Sequence, residues 1–271
     1  MLNTLIIDVS EFNKEDDINA FTNATCYKII CSFEQFSGNV DEVFMITDSR
    51  NNADKAKEKG IGFAVYLNSN SSEESFTDAL YCVERISDTS DEVIHRMFLR
   101  YKGLPWAIFE TDRCIVREIT LDDIDDLYVL YSDSETKQYI EDLYAEKVQE
   151  ITFTKEYIAN QYRFFEYGIW VVIDKATEQL IGRAGLSDRA GFSSVELGFI
   201  FRKDYWGKGY AYEVCSEILR YAKKTLAFDR IISFTMDENK RAIDLLDRLD
   251  FEYVGMEHID LGEFRMYSID L

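Results

Sequence analysis

Two glycines one residue apart, Gly207 and Gly209, stand between a strand-like run and a strongly periodic helix. The run before them is Ser194-Val195-Glu196-Leu197-Gly198-Phe199-Ile200-Phe201. After them, Ala211, Val214, Cys215, Ile218, Leu219 and Ala222 repeat at i, i+3, i+4 spacing, the apolar stripe of a core-facing helix. A strand that turns into a helix through glycine leaves bare main-chain N–H groups at the junction. The start of a helix also carries unsatisfied donors and a partial positive charge. The segment Tyr205-Trp206-Gly207-Lys208-Gly209-Tyr210-Ala211 therefore favours an anion, with phosphate or pyrophosphate the natural candidate.

Charge narrows the field. The chain has 271 residues and a formal net charge of −21. That field repels a polyphosphate backbone, so nucleic acid is not an expected partner. It suits a cationic acceptor such as an amine. Apolar residues make up 46%, enough to build the core of one large domain or two ordinary ones. The five cysteines contain no CxxC pair and read as reduced and mostly buried. His95 and His258 stand alone, so neither a metal centre nor a histidine-activated nucleophile is expected. The N-terminus lacks a basic region, and no apolar run approaches the roughly 18 residues of a membrane span. The expectation is a cytoplasmic protein.

The single proline, Pro105, follows Gly103-Leu104 at the end of a helical pattern and marks a domain seam. Residues 1–104 alternate strand-like and helix-like stretches, which predicts a small α/β domain with parallel strands. Residues 113–271 begin with a strand at Cys114–Glu118. Thr120 with Asp123 three residues later resembles a helix-start capping pair. Helices are expected through Leu127–Tyr131 and through Tyr157–Phe165. Strands follow at Ile169–Ile173, Leu180–Leu186 and the run bearing Glu196. Beyond the glycine loop and its helix come a strand at Arg230–Thr235, a helix at Asp237–Leu249 and a terminal pair of strands.

That order, with the loop Trp206-Gly207-Lys208-Gly209-Tyr210-Ala211, resembles the GCN5-related N-acetyltransferases (GNAT), in particular the branch of ribosomal-protein N-terminal acetyltransferases. The resemblance covers residues 113–271. It implies an α+β acetyltransferase fold with a mixed, mostly antiparallel sheet and a central V-shaped splay. The family pattern is Gln/Arg-x-x-Gly-x-Gly/Ala, and Trp206 replaces its first polar residue. Asn239, Ala242, Leu249 and Phe251 match the later helix and strand, whereas Asp250 stands where the family normally has Gly.

The resemblance implies acetyl-CoA as co-substrate. Amides of Gly207, Lys208, Gly209, Tyr210 and Ala211, with Trp206 beside them, would hold its pyrophosphate. Backbone groups at Leu197 and Phe199 would pair with the pantetheine arm. Asn239 either caps its helix or contacts the coenzyme. Glu196 is the candidate base, with burial raising its pKa toward the working range; the alternative is that it only orients the amine. The tyrosine that often protonates the departing thiolate in this family is replaced by Leu246. Glu141 and Asp142 are candidate receivers of the amine. The acceptor is a primary amine of a small molecule or a peptide; a non-catalytic acyl-CoA-binding or regulatory module is the alternative.

The N-terminal part carries a second resemblance. Val43–Ser49 followed by Ala53–Ile61 is similar to the final half of a haloacid dehalogenase-like (HAD-like) phosphatase, in a Rossmann-like setting. It implies that Asp48 occupies a metal position. The early Asp8-Val9-Ser10 lacks the second acid of the nucleophilic Asp-x-Asp, so the domain reads as catalytically silent.

Overall fold

The computed structural model describes residues 1–10, 21–22, 24–73, 76–140, 142–259 and 262–271, the side chains of residues 70 and 73 excepted. The chain divides into two compact units, Met1–Trp106 and Ala107–Leu271.

In the first unit, strands β1 (Thr4–Asp8), β2 (Lys28–Ile30), β3 (Val43–Thr47), β4 (Gly62–Tyr66) and β5 (Cys82–Val83) form one parallel sheet in the order β2-β1-β3-β4-β5. Strands β3 and β4 are buried along their whole length, as their unbroken apolar runs require when both faces are covered. Period-2 alternation splits β3: Phe44 and Ile46 join a cluster with Ile94 and Phe98, whereas Val43 and Met45 join one with Ala53 and Ala56. The covering helices are α1 (Arg50–Glu58), started by a Ser49 side chain that accepts from the Asn52 amide, and α3 (Asp91–Tyr101), started likewise by Ser90. A short α2 (Ser69–Glu73) precedes β5. Both α2 and β5 escape sequence reading because neither is long enough to show a period.

In the second unit, β6 (Ala107–Glu110) and β7 (Cys114–Arg117) form a hairpin. The sequence reading anticipated only that residues 106–109 pack against a neighbour. A 3-10 turn and α4 (Ile124–Leu130) follow, and Thr120 and Asp123 make the expected capping box. Next come α5 (Ser134–Lys137), α6 (Lys147–Tyr157), a π-turn over Ile158–Tyr162 and α7 (Arg163–Phe165). The remainder is β8 (Ile169–Asp174), β9 (Leu180–Ser187), β10 (Val195–Phe201), α8 (Tyr210–Lys224), β11 (Arg230–Thr235), α9 (Lys240–Arg248), β12 (Glu252–Ile259) and β13 (Gly262–Asp270). Helix α9 begins later than Asp237 because the Asn239 side chain caps it, accepting from the Ala242 amide.

The eight strands form one sheet in the order β12-β13-β11-β10-β9-β8-β7-β6. Every pairing is antiparallel except β10 with β11. That parallel ladder joins only Val195 to Ile231 and Glu196 to Ile232. Beyond it the two strands diverge, and this divergence positions the site.

Candidate functional site

The glycine loop is built so that its amides point to no protein partner. Gly207 and Gly209 have φ of +70° and +83°, a left-handed conformation that L side chains adopt at a cost. Gly209 is the N-cap of α8, and the first intrahelical bond runs from the Glu213 amide to its carbonyl. The N–H groups of residues 207–212 have no hydrogen-bond partner among the described residues. Two braces hold this loop. The Trp206 indole Nε1 donates to the Phe201 carbonyl at 2.7 Å, and the Arg241 guanidinium lies 3.9 Å from its ring centroid. On the other side, Arg113 donates to the Lys208 carbonyl at 2.9 Å and to Glu213 at 2.6 Å, and sits 4.0 Å over the Tyr210 ring.

Each candidate now has a place. Gly207, Gly209, Tyr210, Ala211 and Trp206 border a groove of about 260 Å³, with Asn239 and Arg241 opposite. The Lys208 side chain does not line that groove; its ammonium lies 5.7 Å from the Tyr205 ring. The Trp206 indole donor is spent on the protein itself, so its contribution is to shape the loop. Asn239 caps α9 and borders the groove as well.

A second cavity of about 730 Å³ adjoins the first, and Tyr139, Ile140, Phe199, Ile200, Asn239 and Ala242 border both. Strand β10 forms their common wall. The Leu197 carbonyl faces β11, where the buried Ser233 hydroxyl donates to it at 2.9 Å. Antiparallel alternation turns the N–H and C=O of Phe199 the same way, into the opening left by the diverging strands. The Leu197 carbonyl thus has a partner within the protein, whereas Phe199 carries the open backbone.

Glu196 lies on the wall of the second cavity and is 9% exposed. Its carboxylate is ion-paired with the Arg189 guanidinium. The burial expected from sequence is thus accompanied by a cation that sequence reading did not place there. Arg189 was missed because it enters from the loop after β9, where no periodicity places it. Asp142 borders the same cavity but is paired with Lys137 at 2.6 Å, which holds its carboxyl below the usual range. Glu141 lies outside the described residues. Leu246, at the tyrosine position of the family, is fully buried core. Tyr139 borders both cavities instead, a placement that sequence spacing does not reveal.

The cysteines carry no part of this site. Cys215 is buried on the apolar face of α8, where burial pushes its thiol well up. The same effect takes the Cys114 thiol to about 11. Among the described residues no cluster of three or more His, Cys, Asp or Glu side chains is placed to hold a metal ion. No described helix is long and apolar enough to cross a membrane.

Comparison with known proteins fits this geometry. Residues 113–252 match the acetyltransferase (GNAT) domain, and the chain belongs to that family of N-acetyltransferases, which use acetyl-CoA. YoaA of Bacillus subtilis (strain 168), an uncharacterized N-acetyltransferase, is 27% identical over 152 residues, covering 56% of this chain and 86% of its own. The [ribosomal protein uS5]-alanine N-acetyltransferase of Escherichia coli (strain K12) is 34% identical over 93 residues, or 34% of this chain and 46% of that protein. Ribosomal-protein-S5-alanine acetyltransferase from Vibrio fischeri shares the fold of the second unit with a TM-score of 0.51 at 17% identity, covering 60% of this chain and 95% of that one.

Proposed function

We propose that the chain transfers the acetyl group of acetyl-CoA to a primary amine on a small molecule or peptide, by direct attack of the amine on the thioester. The observation that carries this reading is the pairing of unpartnered amides at 207–212 with the open backbone of Phe199 across adjoining cavities. The loop amides and the start of α8 are suited to the pyrophosphate, in a groove that Arg241 and Arg248 line together with Glu135 and Asp244. The Phe199 N–H is placed to donate to the pantetheine arm and to the oxygen that gains charge when the amine attacks.

The attacking amine must lose a proton as its N–C bond forms, and the sulfur must gain one as the C–S bond breaks. Glu196, ion-paired with Arg189, takes the first proton directly or through water. Tyr139, bordering both cavities, supplies the second. Thiol release from acetyl-CoA with an amine panel tests the reading. Glu196→Gln is expected to lower kcat by about 10²–10⁴-fold, the range of general base catalysis, and to remove the acid limb of the pH–rate profile. Coenzyme binding with no turnover of any amine would favour the rival reading, a regulatory acyl-CoA-binding module. The engagement of Glu196 by Arg189 is the observation on the side of that rival.

Residues 113–271 are read as the acetyltransferase domain and residues 1–104 as a small Rossmann-like, HAD-like domain without hydrolase activity. Supporting the latter, Asp48 lies just beyond the end of β3, next to β1, where parallel sheets bind ligands. Burial raises its pKa, but hydrogen bonds from Ser10 and Asn68 outweigh that and hold it low. Ser10, standing where a second acid is needed, spends its hydroxyl on Asp48 at 2.6 Å. Mg²⁺-dependent phosphatase activity abolished by Asp48→Asn would overturn the silent assignment. Three exposed free thiols, Cys26, Cys31 and Cys82, suit a reducing compartment, and the reading is of a cytoplasmic enzyme.

A further inference from the structure

Two shielded polar atoms on the walls of the larger cavity lack a hydrogen-bond partner among the described residues: Nε of Arg183 on β9 and Oγ1 of Thr235 on β11. Native structures leave few such atoms unpaired, and each calls for a reason. Arg183 matters more of the two, because it is a cation whose shielded Nε has no described carboxylate opposite it. Among the described residues its one hydrogen bond runs to the Tyr131 hydroxyl at 3.3 Å, a neutral and weak partner. The phenols of Tyr131, Tyr162 and Tyr157 surround it. No described carboxylate forms an ion pair with it, although carboxylates line the same cavity. Glu196 belongs to Arg189 and Asp142 to Lys137; Glu150 accepts from the Tyr144 amide at 3.0 Å, and Asp188 accepts from the Tyr167 hydroxyl at 2.8 Å.

Strand register places this cation close to the reacting centre. Ala184 pairs with Phe199, and Arg183 pairs with Ile200. Arg183 therefore stands beside Ile200, the residue after Phe199, one strand spacing of about 4.8 Å from β10 and across that strand from the edge that Phe199 opens toward β11. Its side chain lines the same cavity as Glu196 and Phe199, so an acceptor whose amine lies at Phe199 meets the guanidinium within that cavity. Resting on the acetyltransferase reading of the site, we infer that Arg183 receives an anion of the acceptor, which is a small amino-carboxylate: its amine lies at Phe199 and its carboxylate against the guanidinium. The planar fork of arginine suits bidentate pairing with a carboxylate or phosphonate. The Thr235 hydroxyl supplies a further donor on the opposite wall. A polyamine would bring a cation to this wall and be disfavoured.

The test compares wild type with Arg183→Met, which keeps length and loses charge, at saturating acetyl-CoA. The probes are the amino acids, their carboxamides, the decarboxylated amines and aminoalkylphosphonates; the last separate a carboxylate site from a general anion site. For wild type, kcat/KM should favour the best amino acid over its own amide by at least about a hundredfold. Arg183→Met should collapse that ratio toward one, mainly through KM, and Arg183→Lys should restore part of it. Calorimetry with N-acetyl amino acids and their amides gives the same comparison without turnover. Amides or plain amines used as well as the acids by wild type would overturn the inference. So would an equal loss on all probes with a lowered melting temperature, which marks Arg183 as structural. Failure of the parent reading looks different: wild type then binds no coenzyme, or turns over no amine, whatever residue 183 is.

Discussion

Replacing Gly209 by alanine isolates the conformational demand of the loop from its sterics. A Cβ added there meets only the Arg113 guanidinium, at 3.5 Å, which is ordinary contact. The cost is therefore the left-handed backbone at φ +83°, about 1–2 kcal/mol for an L-residue. That energy appears in one of two places. If the loop keeps its shape, the free protein loses it, at roughly 2–4 °C of melting temperature per kcal/mol for a unit of this size. If the loop relaxes, its amides turn away and coenzyme affinity falls by about 5- to 30-fold. Calorimetric titration with CoA and thermal melts of the same samples measure both terms, whose sum should lie near 1–2 kcal/mol. Gly60 has φ +70° with nothing within 4 Å, so Gly60→Ala is the control: similar strain, no effect on CoA. Unchanged affinity and unchanged stability in Gly209→Ala, or equal loss of CoA binding in the control, would refute the role given to the loop amides.

Asp250 has φ +63°, just past α9, where the Phe251 amide reaches back to the Leu246 carbonyl as in a Schellman cap. Asp250→Gly relieves the strain at some cost in unfolded-chain entropy and should gain about 0.5–1 kcal/mol in denaturant melts. Asp123 accepts from Arg117 at 2.7 Å on each oxygen; although burial raises its pKa, these bonds and those from Thr120 hold it below the usual range. A carboxyl depressed by folding contributes stability above its unfolded value, near 3.9, and loses it as pH falls through the folded value. Asp123→Asn should be less stable at neutral pH and flatten the acid limb of the stability profile; a parallel limb would show the pair to be inert. Native protein should react with a thiol reagent at Cys31 and Cys82, more slowly at Cys26, whose thiol the hydrogen bond with Asp91 pushes up, and at Cys114 and Cys215 only after unfolding.

The parts of this molecule legible in its sequence are those set by local chemistry. The Gly207/Gly209 junction, the apolar stripe of α8, the Thr120–Asp123 box and the run of β10 each announce themselves within a few residues, and the structure has them. What stayed hidden depends on partners distant in the chain. No local pattern shows that Ser233 takes the Leu197 carbonyl, that Arg189 takes the Glu196 carboxylate, or that Arg113 pins the loop from nearly a hundred positions earlier. The π-turn at Ile158–Tyr162 was hidden for another reason. It stretches one helical turn without changing the apolar pattern, and it lies where Tyr157 accepts from the Ile169 amide and Tyr162 donates to the Ile169 carbonyl.

Two rungs, Val195 with Ile231 and Glu196 with Ile232, join the last three strands of the second unit to the other five. Few main-chain bonds thus weld a large share of the sheet to its remainder at that seam. A ligand whose own amides run along the unzipped edge would act as a missing staple, completing the sheet as an added strand does. Coenzyme occupancy and the mechanical integrity of the last three strands would then be one and the same variable.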